Sequence, residues 1–169
     1  MSEDSALRRA KRPRSILAGP YGHPFHSILV TIPIGSWTAS LVFDIVGFFA
    51  DDPDAFTRGS QWLIGIGLVG AVLAAIVGLL DLTTIATQTR ARRTALLHLT
   101  FNATAIVLFA ISFIVRLGTE RDEVSVFGFT LSVLGYLLVS VSGFLGGELV
   151  FRHGVRVADE SIQIKAFRP

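Results

Sequence analysis

Four apolar blocks, each of roughly twenty residues or more, alternate with short charged segments along this 169-residue chain. About 20 apolar residues suffice for an α-helix to cross the ~30 Å hydrocarbon core of a membrane. Only 17% of the residues are charged, whereas a soluble domain typically has about 25%. The sequence therefore predicts an all-α integral membrane protein, a bundle of four transmembrane helices.

The apolar blocks also predict the domain organisation. The predicted helices are residues 25–50, 61–84, 95–115 and 127–151, each to within a few positions. They form one transmembrane domain over residues 22–151, preceded by a basic tail, residues 1–21, and followed by a second tail, residues 152–169. The first tail is predicted to be disordered. The first block is too long for a cleavable signal peptide, so we expect it to remain as a membrane anchor.

The distribution of positive charge predicts the orientation. Twelve of the fifteen Lys and Arg residues lie in the two tails and in the segment 87–94, while the other two loops carry three arginines against six acids. Cytoplasmic segments of membrane proteins are enriched in Lys and Arg. Both termini are therefore predicted to be cytoplasmic.

Small residues and one proline predict how the helices pack. Membrane helices approach closely where small residues recur at four-residue spacing. The second and fourth blocks contain such positions: Gly70, Ala74 and Gly78, and Gly143 and Gly147. Pro33 lies inside the first block, where it leaves the carbonyl of Leu29 without a donor and should kink the helix.

All four histidines are predicted to lie near the cytoplasmic side. His23 and His26 lie at the entrance of the first helix, His98 lies about one turn into the third, and His153 lies just past the end of the fourth. Carboxylates near the same side, Asp81 and Glu148, are costly in lipid unless they are paired or face the interior of the bundle. These side chains are candidates for one polar site.

Two further positions complete the candidate residues. Asn102 follows His98 by four residues, so both lie on one face of the third helix. Near the outer side, Asp44 on the first helix is expected to form a structural ion pair with Arg116 at the end of the third.

Three interpretations of the cytoplasmic-side cluster remain open. In the first, one haem b is ligated by His98 with either His26 or His153, with His23 and Asn102 nearby and arginines around the propionates. In the second, a divalent metal is bound by the histidines with a carboxylate. This ligand set is His23, His26, His98, His153, Asp81 and Glu148. In the third, these residues only cap helix ends and pair with nearby arginines.

The composition excludes several other kinds of site. The chain has no cysteine, which rules out disulfides, zinc–thiolate sites, iron–sulfur clusters and c-type haem attachment. No arrangement of Ser, His and Asp for nucleophilic catalysis can be argued from the spacing. The basic first tail joins a membrane helix directly, so anionic lipid is a better partner for it than nucleic acid.

Several motifs resemble those of a bacterial membrane-protein family. They are GHPFHSILVTIPIGSW at 22–37, Phe43-Asp44, GLLDL at 78–82, His98 with Asn102, and SGFLGGELVFRHGVRV at 142–157. Together they resemble the proteins grouped as domain of unknown function 2231, although Ser27 stands where family members usually have proline. The resemblance implies a four-helix domain in the bacterial inner membrane. In some members this domain stands beside a Rieske domain, which this chain has no cysteines to build.

The functional expectation is a small haem-based electron-transfer subunit whose site faces the cytoplasm, with a quinone or a redox protein as partner. One alternative is a non-catalytic subunit that anchors or assembles a larger complex or a homo-oligomer. The other is a membrane protein that binds a divalent metal.

Overall fold

The computed structural model describes residues 3–13, 15–19, 23–120 and 122–168, and these contain helices and no β-strand. The helices are α1 (Glu3–Lys11), α2 (Phe25–Leu29), α3 (Thr31–Gly47), α4 (Asp54–Leu82), α5 (Arg90–Leu117), α6 (Val126–Phe151) and α7 (Glu160–Ala166). A short 3₁₀ turn, Ile16–Ala18, follows α1. Four spans are long and apolar enough to cross a membrane: α2 with α3, α4, α5 and α6.

Two of these spans begin earlier than their apolar blocks. α4 begins at Asp54, and its first turn includes an ion pair between Asp54 and Arg58, whose atoms lie 2.8 Å apart. α5 begins at Arg90 because the Thr89 side chain accepts a hydrogen bond from the Arg92 amide and caps the helix. Polar side chains can occupy the first turn of a helix, so hydropathy alone places these starts too late.

The first span is interrupted at Val30, near the carbonyl of Leu29 that Pro33 is predicted to leave without a donor. α2 ends at Leu29, Val30 adopts a turn, and α3 starts at Thr31. Pro33 has no amide hydrogen to donate to the carbonyl of Leu29, so the helical hydrogen-bond ladder is broken at that point. The break separates the short segment that carries His26 from the rest of the span.

The four spans associate as two hairpins. α3 packs along α4, and α5 packs along α6, with less extensive contact between the two pairs. Side chains of α2 or α3 meet side chains of α5 at three levels: His26 with His98, Trp37 with Phe109, and Asp44 with Arg116. We call this set of three pairs the hairpin interface. We call the end of the bundle near His26 and His98 the terminal end, and the end near Asp44 the loop end.

The middle of the hairpin interface is apolar. The rings of Trp37 and Phe109 stack with centroids 4.0 Å apart and planes inclined by 9°. Ile64, Ala71 and Ala105 are buried around them. This packing separates the polar pair at the terminal end from the polar pair at the loop end.

Several polar side chains are buried and many large apolar side chains are exposed, the opposite of the usual arrangement in a soluble protein. Asp44 and four of the serines, those at positions 40, 60, 112 and 132, have no exposed surface. Many large apolar side chains point outward, including Val69 at 64% and Ile114 at 65% exposure. This pattern is expected when the surroundings are hydrocarbon, because polar groups must then find partners inside the bundle.

The small-residue faces are only partly used for packing. A Cβ on Gly70 would lie 2.9 Å from the Cβ of Ile32, so this glycine allows a close approach of α3. A Cβ on Gly143 would meet open space among the described residues, and on Gly147 it would meet only Phe151 of its own helix. The prediction that Gly143 and Gly147 form a packing face is therefore wrong within this chain; Gly146, which faces His98, takes that role.

The tails are folded onto the terminal end. Residues 3–11 form α1 rather than the predicted disordered segment, and Ala10 is buried in a small apolar cluster with Ile85, Ala95, Leu149 and Val155. The α1 segment is rich in charge, but one of its small apolar residues packs against the loop between α4 and α5. Of the predicted first tail, residues 1, 2, 14, 20 and 21 lie outside the described residues.

Candidate functional site

His26 and His98 meet inside the bundle near the terminal end. Their ring centroids are 6.1 Å apart, and the planes are inclined by 82°. His26 belongs to α2 in the first hairpin, and His98 belongs to α5 in the second. Both side chains are partly buried. This is the pair that one of the two haem-ligand combinations requires.

His26 is held by its own hairpin. Its Nδ1 atom lies 2.8 Å from the carbonyl oxygen of Ala74 on α4. A carbonyl can only accept, so Nδ1 carries the proton and a neutral His26 keeps a lone pair on Nε2. Gly78, one turn further along α4, makes room for the ring, because a Cβ there would lie 2.9 Å from His26 Nδ1.

His98 is held in the same way by the second hairpin. Its Nδ1 atom lies 2.8 Å from the carbonyl oxygen of Ser142 on α6, and also 2.8 Å from the Ser142 hydroxyl. The carbonyl contact again assigns the proton to Nδ1 and the lone pair to Nε2. A Cβ on Gly146 would lie 3.2 Å from the His98 ring, so this glycine allows α6 to approach it.

Asn102 contacts the remaining nitrogen of His98. The Asn102 Nδ2 atom lies 3.1 Å from His98 Nε2, 2.9 Å from the His98 carbonyl oxygen and 2.6 Å from the Ser142 hydroxyl. An amide nitrogen has two hydrogens, so it cannot donate to all three acceptors at once. The contact with Nε2 is the longest of the three and the one most readily given up to another ligand.

The other two histidines lie outside this pair. The His23 side chain is exposed, and its main-chain carbonyl accepts a hydrogen bond from Arg156. His153 follows α6, where its amide donates to the carbonyl of Glu148. Among the described contacts, none joins the imidazole of His23 or His153 to His26 or His98. Of the candidate haem pairs, the structure brings together His26 with His98 and not His153 with His98.

Asp81 is paired with an arginine from beyond the fourth span. Asp81 Oδ1 lies 3.2 Å from Arg156 Nε, and both side chains are largely buried. Arg156 has a left-handed backbone, φ 61°, which is uncommon for residues other than glycine. Its amide donates to Ala10, and its Nη2 atom donates to the carbonyls of Ala18 and His23. The pair thus joins α4 to both tails.

Glu148 lies 3.6 Å from Arg152, one turn further along the chain. The Arg152 side chain is 78% exposed, so this contact lies at the surface. Arg90 and Arg93 at the start of α5 are also exposed. Arg92 instead donates to the carbonyls of Leu82 and Ile85. Of the arginines expected around the propionates, Arg90, Arg93 and Arg152 are therefore open to solvent.

The six proposed metal ligands do not converge on one point. In the described part of the chain, no group of three or more His, Cys, Asp or Glu side chains is placed to hold a metal ion. Asp81 is turned to Arg156 and Glu148 to Arg152. Only the two imidazoles of His26 and His98 remain as neighbouring donors.

Asp44 and Arg116, which are predicted from their positions to pair, form a bidentate ion pair at the loop end. Both nitrogen–oxygen distances are 2.7 Å, and both side chains are buried. Arg116 also lies 3.2 Å from the hydroxyl of Ser112, which donates to the carbonyl of Gly128. These contacts connect α3, α5 and α6.

Sequence reasoning missed the groups that position the histidines. Ser142 contributes a hydroxyl and a carbonyl to His98, and Ala74 contributes a carbonyl to His26. Ser142 was detectable in principle, since a serine inside an apolar helix must find a partner away from lipid. A main-chain carbonyl such as that of Ala74 has no sequence signal, because every residue carries one.

A protein-family model described as "Predicted membrane protein (DUF2231)" matches residues 22–159. The matched segment contains all the residues of the histidine pair, the Asp81–Arg156 pair and the Asp44–Arg116 pair. No curated protein matches the chain, and no solved structure matches it.

Proposed function

The chain belongs to the DUF2231 family of predicted membrane proteins, and we propose on that basis a role inside the membrane: His26 and His98 bind one b-type haem, and the protein transfers electrons. The observation that carries this proposal is the meeting of the two imidazoles between the hairpins, with centroids 6.1 Å apart. Two imidazoles that share one metal through bonds of about 2 Å have centroids roughly 6 Å apart.

The ring nitrogen that carries the hydrogen is the same in both histidines, and it leaves the other nitrogen able to bind a metal. Each Nδ1 atom is hydrogen-bonded to a main-chain carbonyl, of Ala74 or of Ser142. Histidines that ligate metals characteristically donate their other ring nitrogen to a carbonyl or carboxylate, which fixes the tautomer and the ring orientation. Both residues thus hold Nε2 in the form that can bind a metal.

The number of protein donors favours haem over a bare ion. Two neighbouring histidines satisfy a haem iron, since the porphyrin supplies the remaining nitrogens and the protein supplies only axial ligands. A structural metal site typically needs four protein ligands, and a catalytic one three. The described residues bring no third such donor to the pair.

The hairpin arrangement supports binding of a flat cofactor. Each histidine is hydrogen-bonded within its own hairpin, His26 to α4 and His98 to α6. Contact between the hairpins is less extensive than contact within them. A cofactor bound between the two hairpins would therefore leave both Nδ1 hydrogen bonds in place.

Exposed arginines at the terminal end suit the acidic edge of a haem and an acidic redox partner. Arg90, Arg93 and Arg152 are exposed there, and guanidinium groups bind carboxylates in a bidentate manner. When bound, the haem supplies reversible one-electron transfer. We propose that electrons are exchanged with a quinone or a soluble redox protein at this end, which the positive-inside rule predicts to be cytoplasmic.

Absorption spectroscopy of the full-length chain, purified in mild detergent after expression with added haem precursor, tests the proposal. We expect a Soret band, with α and β bands that sharpen on reduction. His26→Ala and His98→Ala should each abolish stoichiometric haem, because each removes an axial ligand.

His23→Ala and His153→Ala are matched controls, since both histidines lie near the same end but outside the pair. They should keep the full haem content and the same spectrum. A colourless protein with no extractable haem contradicts the proposal. So does loss of haem in the His23 or His153 variant that equals the loss in the His98 variant.

The divalent-metal alternative rests on the same two nitrogens. It requires other ligands, such as water, to complete the coordination, because Asp81 and Glu148 are engaged with arginines. Elemental analysis of the same purified samples distinguishes it. One equivalent of a transition metal without porphyrin, lost in His98→Ala, would favour this alternative.

The anchoring alternative is favoured by the surface of α7. Ile162 and Ile164 are each 58% exposed, and Phe167 is 90% exposed just after the helix. Exposed apolar side chains of this kind mark surfaces that contact another protein or a membrane, and the anchoring alternative requires another protein. Blue native electrophoresis of the source membranes tests this. The unmodified chain should migrate as part of a larger assembly, and the Ile164→Asp variant should be absent from that assembly.

A further inference from the structure

A pocket of about 350 Å³ at the terminal end is lined by two arginines, a proline and two threonines: Arg9, Arg12, Pro13, Thr83 and Thr84. We propose that this pocket binds the phosphate group of an anionic phospholipid. The proposal is independent of whether the histidine pair holds a haem.

The depth of the pocket matches that of lipid headgroups. Trp62 is 70% exposed near the start of the apolar part of α4, and α4 ends at Leu82. About 20 residues at ~1.5 Å per residue cover roughly 30 Å, the thickness of the hydrocarbon core. Exposed tryptophan is typical of the membrane interface. Thr83 and Thr84 therefore lie just beyond the opposite edge of the hydrocarbon, at the level of the phosphates.

Arg9 is positioned to present its guanidinium to a ligand. Its Nε atom donates to the main-chain carbonyl of Thr84 at 3.0 Å, which connects α1 to the end of α4. Arg9 also lines the pocket, and its guanidinium has two terminal nitrogens besides Nε. Two parallel donors of this kind match the oxygens of a phosphate group.

The tail acids whose side chains are described do not neutralise the pocket. Asp4 pairs with Arg8, and Glu160 pairs with Lys11. Asp159 reaches Arg12 only at 4.0 Å, and the Arg12 side chain is 77% exposed. An exposed contact at that distance contributes little, so Arg12 is available to a phosphate.

Exposed apolar side chains follow the pocket residue Pro13 within a few positions in the sequence. The 3₁₀ turn that follows Pro13 exposes Ile16 and Leu17, at 80% and 75% respectively. Such residues are costly in water but favourable against acyl chains at the interface. A lipid offers both chemistries, a phosphate for the arginines and acyl chains for these side chains, whereas free phosphate offers only the first.

The test uses the full-length chain in a neutral detergent and native mass spectrometry with short-chain phosphatidylglycerol. Arg9→Gln and Arg12→Gln should each weaken binding about tenfold, as expected for loss of a hydrogen bond to a charged group. Arg8→Gln is the matched control, because it removes the same charge from α1 at a residue that does not line the pocket. It should weaken binding by about twofold or less.

Two further arms identify the source of the phosphate. Short-chain phosphatidylcholine should bind much more weakly than phosphatidylglycerol, and inorganic phosphate should not displace the anionic lipid at equal concentration. Equal losses in Arg8→Gln and Arg9→Gln would overturn the proposal, since only diffuse charge attraction would then be acting. Displacement by inorganic phosphate would overturn the assignment to a lipid.

Discussion

Asp44 and Arg116 place two full charges in the interior of a membrane protein. Their two nitrogen–oxygen contacts of 2.7 Å leave each charge bonded to its partner, and serine hydroxyls lie beside the remaining donors of Arg116. Buried charges of this kind are tolerated only when both are paired and hydrogen-bonded. At the scale of the residue, the loop end is held by this pair.

Removing either Asp44 or Arg116 alone should therefore destabilise the fold. We expect Asp44→Ala to lower the free energy of unfolding by about 3–5 kcal/mol, because it leaves the guanidinium of Arg116 buried without a counter-charge. Thermal unfolding in detergent measures the loss. The combined change Asp44→Leu with Arg116→Met should recover part of it, since neither charge then remains.

The exposed pair of Asp54 and Arg58 provides the control. Both side chains of that pair are about half exposed. Asp54→Ala should change the free energy of unfolding by about 1 kcal/mol or less. Equal destabilisation by Asp44→Ala and Asp54→Ala would show that the buried pair has no special role.

Residue positions along the chain predict the depth of a side chain better than its direction. By position along the chain, His26, one turn further in than His23, is the better candidate to face His98, and His153 is the alternative. The structure distinguishes them because the break at Val30 and the rotation of α2 bring His26 to the inside, while His153 lies in the turn after α6. Helix rotation depends on packing against neighbouring helices, which hydropathy does not encode.

At the scale of the element, α1 and α7 are joined by an ion pair. Lys11 Nζ lies 2.6 Å from Glu160 Oε1, and the Glu160 side chain is exposed. The hydrogen bond from Lys11 lowers the pKa of Glu160 below its ordinary value. A lowered pKa means that the contact is favourable above the ordinary glutamate pKa of about 4.3 and is lost as the pH falls through the lowered value.

We therefore expect α7 to loosen from α1 in acid. A spin label is attached to each of two introduced cysteines, Leu7→Cys on α1 and Ile164→Cys on α7. No other position is labelled, because the chain has no cysteine of its own. Pulsed electron paramagnetic resonance should give a narrow distance distribution at neutral pH and a broad one once the pH falls through the lowered pKa of Glu160. Glu160→Gln should broaden it at neutral pH.

Asp4→Asn serves as the control for this element. Asp4 pairs with Arg8 inside α1, so this change removes an acid without touching α7. Its distance distribution at neutral pH should match that of the unmodified tails. A distribution that stays narrow in Glu160→Gln would show that other contacts hold α7.

The tails also show where composition misleads. The composition of residues 3–11, which carry many charges, predicts disorder. They fold as α1 because Ala10 packs into a small apolar cluster on the bundle. The four spans, by contrast, were predictable because each must satisfy its main-chain hydrogen bonds within lipid. Elements that depend on a few tertiary contacts lack such a signal.

At the scale of the whole molecule, positive charge is concentrated at one end. The two tails and the segment 87–94 carry most of the Lys and Arg residues, and the tails fold together at the terminal end. The proposed haem and the proposed lipid site both belong to this end. Its side of the membrane therefore decides which partners can reach them.

Reporter fusions test that orientation. Green fluorescent protein fused at the C-terminus should fluoresce, and alkaline phosphatase fused there should be inactive, because the positive-inside rule places this end in the cytoplasm. Alkaline phosphatase inserted in the loop after α5 should be active. An active phosphatase at the C-terminus would reverse the orientation and move the proposed redox partner to the other compartment.

The division into two hairpins has a consequence for biogenesis. Each hairpin can insert and pair its own helices before the other is made, since helices become stable in the membrane before they associate. The contacts between Trp37 and Phe109 and between the two charged partners form only when both hairpins are present. The histidine pair is likewise completed only when the two hairpins associate, so that a cofactor bound there would mark the molecules in which both hairpins have assembled.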